Sequence, residues 1–308
     1  MKVALLAGGS GGAKLAAGMQ ERVGSDLSVI ANTGDDIETL GVHVSPDPDL
    51  VTYWLSGDID EKRGWGIAGD DFVVFERMVK LGAPDWFALT DRDLAACLYR
   101  RHFLAEGGRL TAAQAQIAGA VGVKAAVLPM CEQQVRTMVQ TGSGWREVQE
   151  YLVVDEAEPE VEAVELRGIS SARPTAEVTD AIASAELIVI GPSNPVISIG
   201  PILAVPGIRE AIMTASAPTV AVSPYVGGRV VKGPTEKFMR AVGRPSNAAG
   251  VASLYDGLID GMVVDQDDPE PAPEGIETLA AQLLMDDANA RNRVARVVLG
   301  FGASLARG

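Results

Sequence analysis

The chain opens with a short apolar run, Val3 to Ala7, that breaks into a glycine-rich stretch, residues 8–14, reading Gly-Gly-Ser-Gly-Gly-Ala-Lys. An amphipathic pattern follows at once, with Leu15, Met19 and Val23 four residues apart. This order predicts a buried strand, a tight turn and a helix. The backbone N–H groups of such a turn, together with the positive end of the helix dipole, favour an anion, most often a phosphate.

Two phosphate-binding motifs almost match this stretch and then fail. The Rossmann motif requires a third glycine where this chain has Lys14, and the P-loop requires Ser or Thr where it has Leu15. We therefore expect a phosphate-binding loop that is neither a standard NAD site nor a Walker ATPase site. A tight turn without a ligand is the alternative. The candidate contacts are Gly9, Ser10, Gly11, Gly12 and Lys14.

Composition narrows the class of protein. A length of 308 residues, 47% hydrophobic residues and 34 glycines are typical of an α/β protein, either one large domain or one domain with an insertion. No apolar run approaches the roughly 20 residues of a membrane span. Cys97 and Cys131 show no sign of pairing, so we expect a reduced, cytoplasmic chain.

The net charge of −15 argues against nucleic acid as a partner, since binding a phosphate backbone calls for basic patches. A protein that handles phosphates with so many carboxylates usually needs a divalent cation between them. For most of the acidic residues, however, a solubilising surface is the simpler explanation.

Hydrophobic periodicity predicts an α/β core with a parallel sheet and an inserted, smaller α+β subdomain. The core covers residues 1–56 and 167–308, and the insertion covers residues 57–166. In the core, strands are predicted over 3–7, 27–31, 187–190, 219–222 and 262–264, and helices over 176–185, 207–215, 235–242 and 287–305. In the insertion, helices are predicted over 70–81, 91–105 and 110–121, and hairpin-like strands that leave the parallel sheet over 125–128, 135–140, 148–154 and 161–166.

Ligands of parallel α/β sheets bind beyond the carboxyl ends of the strands. The unusual loops of this chain fall at such positions, so we expect them to line one crevice. They are residues 8–14, 32–36, 45–49, 191–201 and 223–234.

Four carboxylates follow two strands that we expect to be neighbours: Asp35, Asp36, Asp47 and Asp49. Such clusters are tolerated where a cation or substrate hydroxyls lie between them, and an oxygen-only set suits Mg²⁺. A helix cap at Asp35 and an Asx turn at Asp47 are the structural alternatives.

Other loops supply neutral and cationic groups. Small polar side chains at Ser193, Asn194 and Ser198 suit a nucleotide or a phosphate, and Lys232 and Lys14 are candidates for donor phosphates, although a surface lysine is as good an explanation for Lys232. Asp91 starts a helix, where a capping role is the ordinary explanation. Trp54, Trp65 and Trp86 indicate either apolar core or the wall of a pocket for a flat ring.

Taken together, these motifs resemble one family, the 2-phospho-L-lactate transferases of deazaflavin coenzyme (factor 420) biosynthesis. The resemblance covers nearly the whole chain. It rests, in chain order, on the glycine loop 8–14, Asn32-Thr-Gly-Asp-Asp36, Ser45-Pro-Asp-Pro-Asp49, Arg63-Gly-Trp-Gly66, Asp91-Arg-Asp93, Leu128-Pro-Met130, Gly191-Pro-Ser-Asn-Pro195, Ser198-Ile-Gly-Pro201 and Lys232-Gly-Pro234.

The resemblance implies a Rossmann-like core with a smaller inserted domain, a homodimer and Mg²⁺. It also implies the reaction. A phospholactyl or phosphoenolpyruvyl group moves from a guanosine diphosphate adduct to the terminal ribityl hydroxyl of the deazaflavin FO, releasing GMP.

Carried over to this chain, the resemblance makes Asp49 the contact to FO and puts Asp36 and Asp47 near the phosphates. We expect Asp49 to hold or deprotonate the attacking hydroxyl, and Asp36 and Asp47 to bind Mg²⁺, so that Asp36 and Asp49 are the candidate catalytic residues. The candidate substrate contacts are Asp49, Asp91, Gly9, Ser10, Gly11, Gly12, Lys14, Asn32, Ser193, Asn194, Ser198 and Lys232. The chain departs from the family at Ala88, where some relatives have a basic residue, at Thr90, a frequent glycine, and at Cys97, often a histidine.

Two other functions share parts of this pattern. A family of nucleotide-sugar-binding regulatory proteins has the glycine loop, but continues its Asp-Asp pair with Gly-Gly-Ser-Ser, where this chain has Ile37, Glu38 and Thr39. Sugar nucleotidyltransferases have a similar opening with an arginine near position 13 or 14, where this chain has Ala13 and Lys14. The regulatory protein is the alternative that we keep.

Overall fold

Strands and helices alternate along most of the structure, a computed structural model that describes residues 1–306. The strands are β1 (Val3–Ala7), β2 (Leu27–Ala31), β3 (Ile37–Thr39), β4 (Val42–Val44), β5 (Ala126–Pro129), β6 (Arg136–Thr141), β7 (Gly144–Glu147), β8 (Ala163–Arg167), β9 (Leu187–Ile190), β10 (Thr219–Val222), β11 (Tyr225–Val226), β12 (Arg229–Val230), β13 (Gly261–Asp265) and β14 (Glu277–Ala281). The helices are α1 (Gly9–Val23), α2 (Pro46–Ser56), α3 (Val73–Lys80), α4 (Asp91–Ala105), α5 (Leu110–Ala120), α6 (Val148–Val153), α7 (Ala176–Ala183), α8 (Ile199–Ala204), α9 (Ile208–Thr214), α10 (Thr235–Ala241), α11 (Ala248–Leu254) and α12 (Ala288–Leu305).

A parallel sheet organises the fold. Within residues 1–306 its seven strands lie in the order β14-β13-β10-β9-β1-β2-β5. The first strand of the chain is therefore central, with Leu6 in register with Ile30 on one side and with Ile190 on the other. The strands are almost purely apolar because helices cover both faces of the sheet. The predicted α/β class and parallel core are confirmed.

Alternate residues of each strand point to opposite faces and enter two separate hydrophobic clusters. Leu5 packs with α1, α2 and α12, whereas Leu6 packs with α7, α8, α9 and α11. The sheet is thus held between two helical layers, and its carboxyl edge is left for the loops that follow the strands.

The glycine-rich stretch is mostly helix and not loop. The first helix begins at Gly9, so only Gly8 of residues 8–14 stands outside it. Gly9 has a φ of +62°, a conformation that a side chain would strain, and this lets the chain turn from strand to helix in one step.

Two sequence predictions between residues 125 and 166 are wrong. The first of the expected hairpin-like strands, β5, pairs in parallel with β2 and forms an edge of the main sheet. A strand was predicted over residues 148–154, but residues 148–153 form helix α6, which buries Val148 and Tyr151, three residues apart. The division into a core and an inserted subdomain stays a prediction, with β5 now in the core sheet.

Smaller sheets flank the main one. Strands β7, β6 and β8 form an antiparallel sheet, as the hairpin pattern predicted, and β3 pairs with β4 in an antiparallel hairpin. Because β4 lies outside the main sheet, the expectation that the four aspartates follow two neighbouring strands of that sheet is wrong. In residues 1–306, no helix combines the length and apolar character needed to cross a membrane.

Candidate active site

A cavity of about 880 Å³ lies beyond the carboxyl edge of the sheet. All five loop segments expected at one crevice contribute to its wall, although residues 32–36 do so through Asp35 alone. The wall also takes in segments that the sequence did not single out for the crevice, at residues 64–66, 86–89, 149–157 and 283–285. The predicted crevice is confirmed, and its wall includes more segments than the loops that follow the strands.

The amino end of α1 reaches this cavity by close backbone packing. A Cβ atom on Gly11 would lie 2.1 Å from the carbonyl oxygen of Pro192, and one on Gly12 would lie 2.6 Å from Ser193 Oγ. Glycine is therefore required for the helix to approach the loop after β9. Gly9, Ser10 and Gly11 line the cavity, whereas Gly12 is not among the described residues that do.

Asp47 lines the cavity and is bound to the start of α1. The backbone N–H of Gly9 donates to Asp47 Oδ1 at 2.7 Å, and the side-chain amide of Asn32 donates to Asp47 Oδ2 at 2.9 Å. Burial raises the pKa of Asp47 to about 6, although both hydrogen bonds lower it. Asn32 is completely buried and is not among the described cavity-lining residues. It is therefore placed to support Asp47.

The adjacent aspartates Asp35 and Asp36 have different surroundings. Asp36 Oδ1 accepts a hydrogen bond from Ser45 Oγ, and its Oδ2 bonds His43 Nε2, each at 2.8 Å. Asp36 is not among the described residues that line the cavity, whereas Asp35 is. Asp35 Oδ1 is buried and has no hydrogen-bond partner within residues 1–306. Asp35 is therefore the member of this pair that borders the cavity, whereas Asp36, the member predicted as a metal ligand, is bonded to Ser45 and His43.

Burial raises the pKa of the Asp35 carboxyl well above its usual range, and the nearby charge of Asp47 raises it further. Two buried carboxylates that repel each other, one of them with an unpartnered oxygen, form a site that a cation would relieve. Oxygen ligands of this kind fit Mg²⁺. On this chemistry the residues present fit a magnesium ion, which Asp35 and Asp47 would hold.

Asp49 also lines the cavity, on the first turn of α2. Its Oδ1 accepts a hydrogen bond from the guanidinium of Arg100, which is completely buried, and its Oδ2 has no partner within residues 1–306. Burial raises the pKa of Asp49, and the charge of Arg100 opposes that rise. Asp49 thus borders the cavity and has one buried carboxylate oxygen without a partner among the described residues.

Asp93, and not Asp91, is the aspartate of α4 that lines the cavity. Asp91 is the first residue of the helix and accepts a hydrogen bond from the backbone N–H of Val74 at 3.0 Å. Asp93, Cys97 and Arg100 repeat at helical spacing, four and three residues apart, and this periodicity was the signal that could have identified them. Ligand atoms of Asp49, Asp93 and Cys97 lie within 4.8 Å of one another, but the Arg100 guanidinium already supplies a cation there.

The residues predicted as polar contacts in the later loops border the cavity. Ser193, Asn194, Ser198, Lys14 and Lys232 all line the cavity. Asn194 is partly engaged, since its Oδ1 accepts hydrogen bonds from the backbone N–H groups of Val196 and Ile197 at 2.9 and 3.2 Å.

Lys14 is partly desolvated. Its Nζ lies 5.4 Å from the ring centroid of Trp54, and burial, followed by the charge of Arg291, lowers its pKa.

The three tryptophans divide between core and cavity. Trp54 belongs to a hydrophobic core cluster, whereas Trp65 and Trp86 line the cavity. Trp86 packs edge-on against Phe87 with ring centroids 5.4 Å apart, and Tyr53 and Leu89 contribute to the same wall. The cavity therefore combines an aromatic wall with carboxylates and two lysines.

A doubly wound α/β fold with its polar cavity beyond the carboxyl ends of parallel strands defines the class of Rossmann-like proteins. The family model of 2-phospho-L-lactate transferase CofD matches residues 3–299. The chain belongs to this family of transferases.

Two curated relatives carry different names. A phosphoenolpyruvate transferase from Streptomyces griseus is 42% identical over 310 residues, covering 97% of this chain and 98% of the relative. A 2-phospho-L-lactate transferase from Methanosarcina mazei is 37% identical over 300 residues, covering 96% of this chain and 98% of the relative. This chain is thus similar to members of the family that are named for two different three-carbon acids.

A solved structure shares the fold. The crystal structure of a member of the UPF0052 family from Bacillus halodurans superposes with a TM-score of 0.65 at 18% identity, covering 97% of this chain and 100% of the other. At this identity the likeness concerns the architecture alone.

Proposed function

We propose that this protein transfers a phospholactyl or phosphoenolpyruvyl group from a guanosine diphosphate adduct to the terminal ribityl hydroxyl of the deazaflavin FO, releasing GMP. The observation that carries the proposal is one cavity that holds three things. It contains the amino end of α1 with Lys14 and Lys232, a free carboxylate oxygen on Asp49, and an aromatic wall. The helix end and the lysines suit a diphosphate, the carboxylate oxygen suits a hydroxyl, and the aromatic wall suits a flat ring.

On the donor side, Ser10 and Gly11 at the start of α1 border the same space as Ser193, Ser198 and the two lysines, whereas the N–H of Gly9 is already bonded to Asp47. These groups would hold the diphosphate and stabilise the GMP leaving group. Phosphoryl transfer depends chiefly on such positioning and charge neutralisation, with little covalent work for the protein.

On the acceptor side, Asp49 would hold the ribityl hydroxyl. The oxygen of this ribityl hydroxyl attacks the phosphorus that carries the three-carbon acid and forms the new oxygen–phosphorus bond. The bridging bond from this phosphorus to GMP breaks, and the electron pair of that bond leaves with GMP. Asp49 Oδ2 accepts the hydroxyl proton. The ring of FO would lie against the aromatic wall around Trp86 and Phe87.

Magnesium belongs to this proposal as the screen for the diphosphate charge. Asp35 and Asp47 would hold it, which replaces the earlier expectation of Asp36 and Asp47. Asp36, bonded to Ser45 and His43, would instead support the strand β4 that leads into α2. A homodimer, a cytoplasmic location and the absence of nucleic-acid partners complete the proposal.

The proposal is tested by titrating the purified protein with FO while following deazaflavin fluorescence, with and without GDP and Mg²⁺. We expect FO binding that tightens when GDP and Mg²⁺ are present. Turnover with each of the two donors, followed by mass spectrometry, then identifies the three-carbon acid.

Asp49→Asn is the matched variant, because it keeps the shape of the side chain and removes the proton acceptor. We expect FO binding with strongly reduced turnover. Wild-type turnover would refute the role of Asp49 as a base. Absent FO binding together with affinity for a nucleotide-sugar would replace the enzyme with the regulatory alternative.

A further inference from the structure

Arg100 is a fully buried charged residue that is not among the residues predicted from the sequence. It lies on α4, two turns from Asp93, and none of its side chain is exposed. Burying a guanidinium has a large desolvation cost, which its ion pair and hydrogen bonds offset; the Nη atoms of Arg100 make these bonds, whereas its Nε has no partner within residues 1–306. Its surroundings therefore show which groups it holds in place.

The guanidinium bonds acceptors from three separate elements. Nη2 donates to Asp49 Oδ1 on α2 and to Gln114 Oε1 on α5, the latter at 3.1 Å. Nη1 donates to the backbone carbonyl oxygen of His43, on β4, at 3.1 Å. The planar fork of arginine fixes these directions relative to one another, which a lysine ammonium cannot do.

Gln114 is itself fixed from the side of α2. Its Nε2 donates to Thr52 Oγ1 at 2.9 Å, and Thr52 Oγ1 donates to the carbonyl oxygen of Pro48 at 2.8 Å. Arg100 and Gln114 thus bind the turn of α2 that carries Asp49 by two routes, one through the carboxylate and one through the backbone.

The pairing leaves Asp49 with one occupied oxygen and one free oxygen. Oδ1 is engaged by Arg100, while Oδ2 is buried and has no partner within the described residues 1–306, although Asp49 borders the cavity. Rotation of the carboxyl group would break the ion pair. The free oxygen is therefore held in one orientation.

We propose that Arg100 is a positioning residue of the transferase, which acts through Asp49 by fixing its free oxygen for the acceptor hydroxyl, with Gln114 as the support that orients the guanidinium. This inference rests on the proposed function, because it assumes that Asp49 meets the acceptor. Arg100 itself touches no substrate.

The test uses two variants that keep a side chain in this space. Arg100→Lys retains the positive charge but loses the fork, and Gln114→Met removes one anchor of the guanidinium without touching Asp49. We expect kcat to fall by roughly 10- to 100-fold in Arg100→Lys and by about tenfold in Gln114→Met, since small misplacements of a reacting group cost rates of this size. The KM values for FO and for the donor should stay within about twofold.

Arg109→Gln is the matched control. Arg109 lies just before α5, is exposed and pairs with Glu132 and Glu177 on the surface, so its loss should leave both kcat and KM unchanged. Thermal melting of each variant ensures that the rates are compared among folded proteins. A purely structural role for Arg100 would lower the melting temperature and leave kcat of the folded fraction at the wild-type value.

The outcomes separate this inference from the proposed function. Wild-type kcat in folded Arg100→Lys and Gln114→Met would overturn the positioning role while the transferase reaction stands. If the wild-type protein itself fails to turn over FO with either donor, the proposed function fails, and the positioning role fails with it.

Discussion

The hydroxyl of Tyr53 donates a hydrogen bond to Asp93 Oδ1 at 2.7 Å, joining α2 to α4 beneath the cavity. Both residues line the cavity, and Asp93 is only 7% exposed. A carboxyl group in this position must either keep its proton or bear the cost of a buried charge. That choice makes the stability of the protein depend on pH.

Asp93→Asn should stabilise the protein relative to the wild type, and the gain should be larger at pH 8 than at pH 5. Burial, followed by the charge of Asp49, raises the pKa of Asp93 to about 7 from an ordinary value of 3.8. Between these two values the folded state binds a proton that the unfolded state lacks, so this group's contribution to stability falls as the pH rises. The effect amounts to at most about 4 kcal/mol.

Urea denaturation of the wild type and of Asp93→Asn at pH 5 and pH 8 measures this contribution. Asparagine keeps an acceptor for Tyr53 and cannot ionise. The variant should therefore exceed the wild type already at pH 5, which lies above the ordinary pKa of 3.8, and by about 3 kcal/mol more at pH 8. An equal difference between the two proteins at both pH values would mean that Asp93 does not titrate in this range.

Asp35→Asn should selectively weaken the binding of magnesium. Removing the charge of its unpartnered oxygen should raise the Mg²⁺ concentration needed for half-maximal activity by about tenfold, the size of effect seen when metal-site partners are removed. Asp36→Asn is the matched control, one residue away. It should leave that concentration unchanged and lower the free energy of unfolding by about 1–3 kcal/mol, because asparagine keeps only one of the two acceptor oxygens that Ser45 and His43 bond. The reverse pattern would restore Asp36 as the metal ligand.

Gly11→Ala should lower both the stability of the protein and its affinity for a nucleotide. The new Cβ would lie 2.1 Å from Pro192 O, which forces α1 away from the loop after β9 and costs about 1–3 kcal/mol of stability. Gly119→Ala, within helix α5, meets no atom within 4 Å and should instead be neutral or stabilising by about 0.5–1 kcal/mol. Thermal melts and GDP titrations compare the two, and tight GDP binding by Gly11→Ala would contradict the close approach.

Lys232→Met should reduce the affinity for GDP by about tenfold, the loss expected for one charged hydrogen bond to a phosphate. Lys232 borders the cavity, whereas Lys80 is exposed at the end of α3 and is not among the described cavity-lining residues. Lys80→Met should therefore bind GDP like the wild type. Calorimetric titration at two salt concentrations distinguishes a direct contact from long-range attraction, since only the latter should vanish in high salt.

Local patterns predicted the strand β1 and a helix after it, because each depends on neighbours in sequence, although α1 already begins at Gly9. The crevice was predicted from a general rule, that ligands bind beyond the carboxyl ends of parallel strands. The choice between Asp35 and Asp36 depends instead on His43 and Ser45, which arrive from a later hairpin that no local pattern places. The same limit applies to β5, whose partner β2 lies about a hundred residues earlier in the chain. The prediction of a strand over residues 148–154 was wrong for another reason, since a short apolar run suits either a strand or a buried helix.

The central position of β1 has a consequence for synthesis on the ribosome. Its partner β9 begins at Leu187, so one edge of β1 stays unpaired until more than half of the protein has been made. An unpaired apolar edge is a template for wrong pairing, and such distant contacts form slowly. The loop after β9, which brings Ser193 and Ser198 to the start of α1, arrives together with the strand that closes this edge. Pairing of this edge of β1 and arrival of Ser193 and Ser198 at the start of α1 are therefore the same late event in the synthesis of the chain.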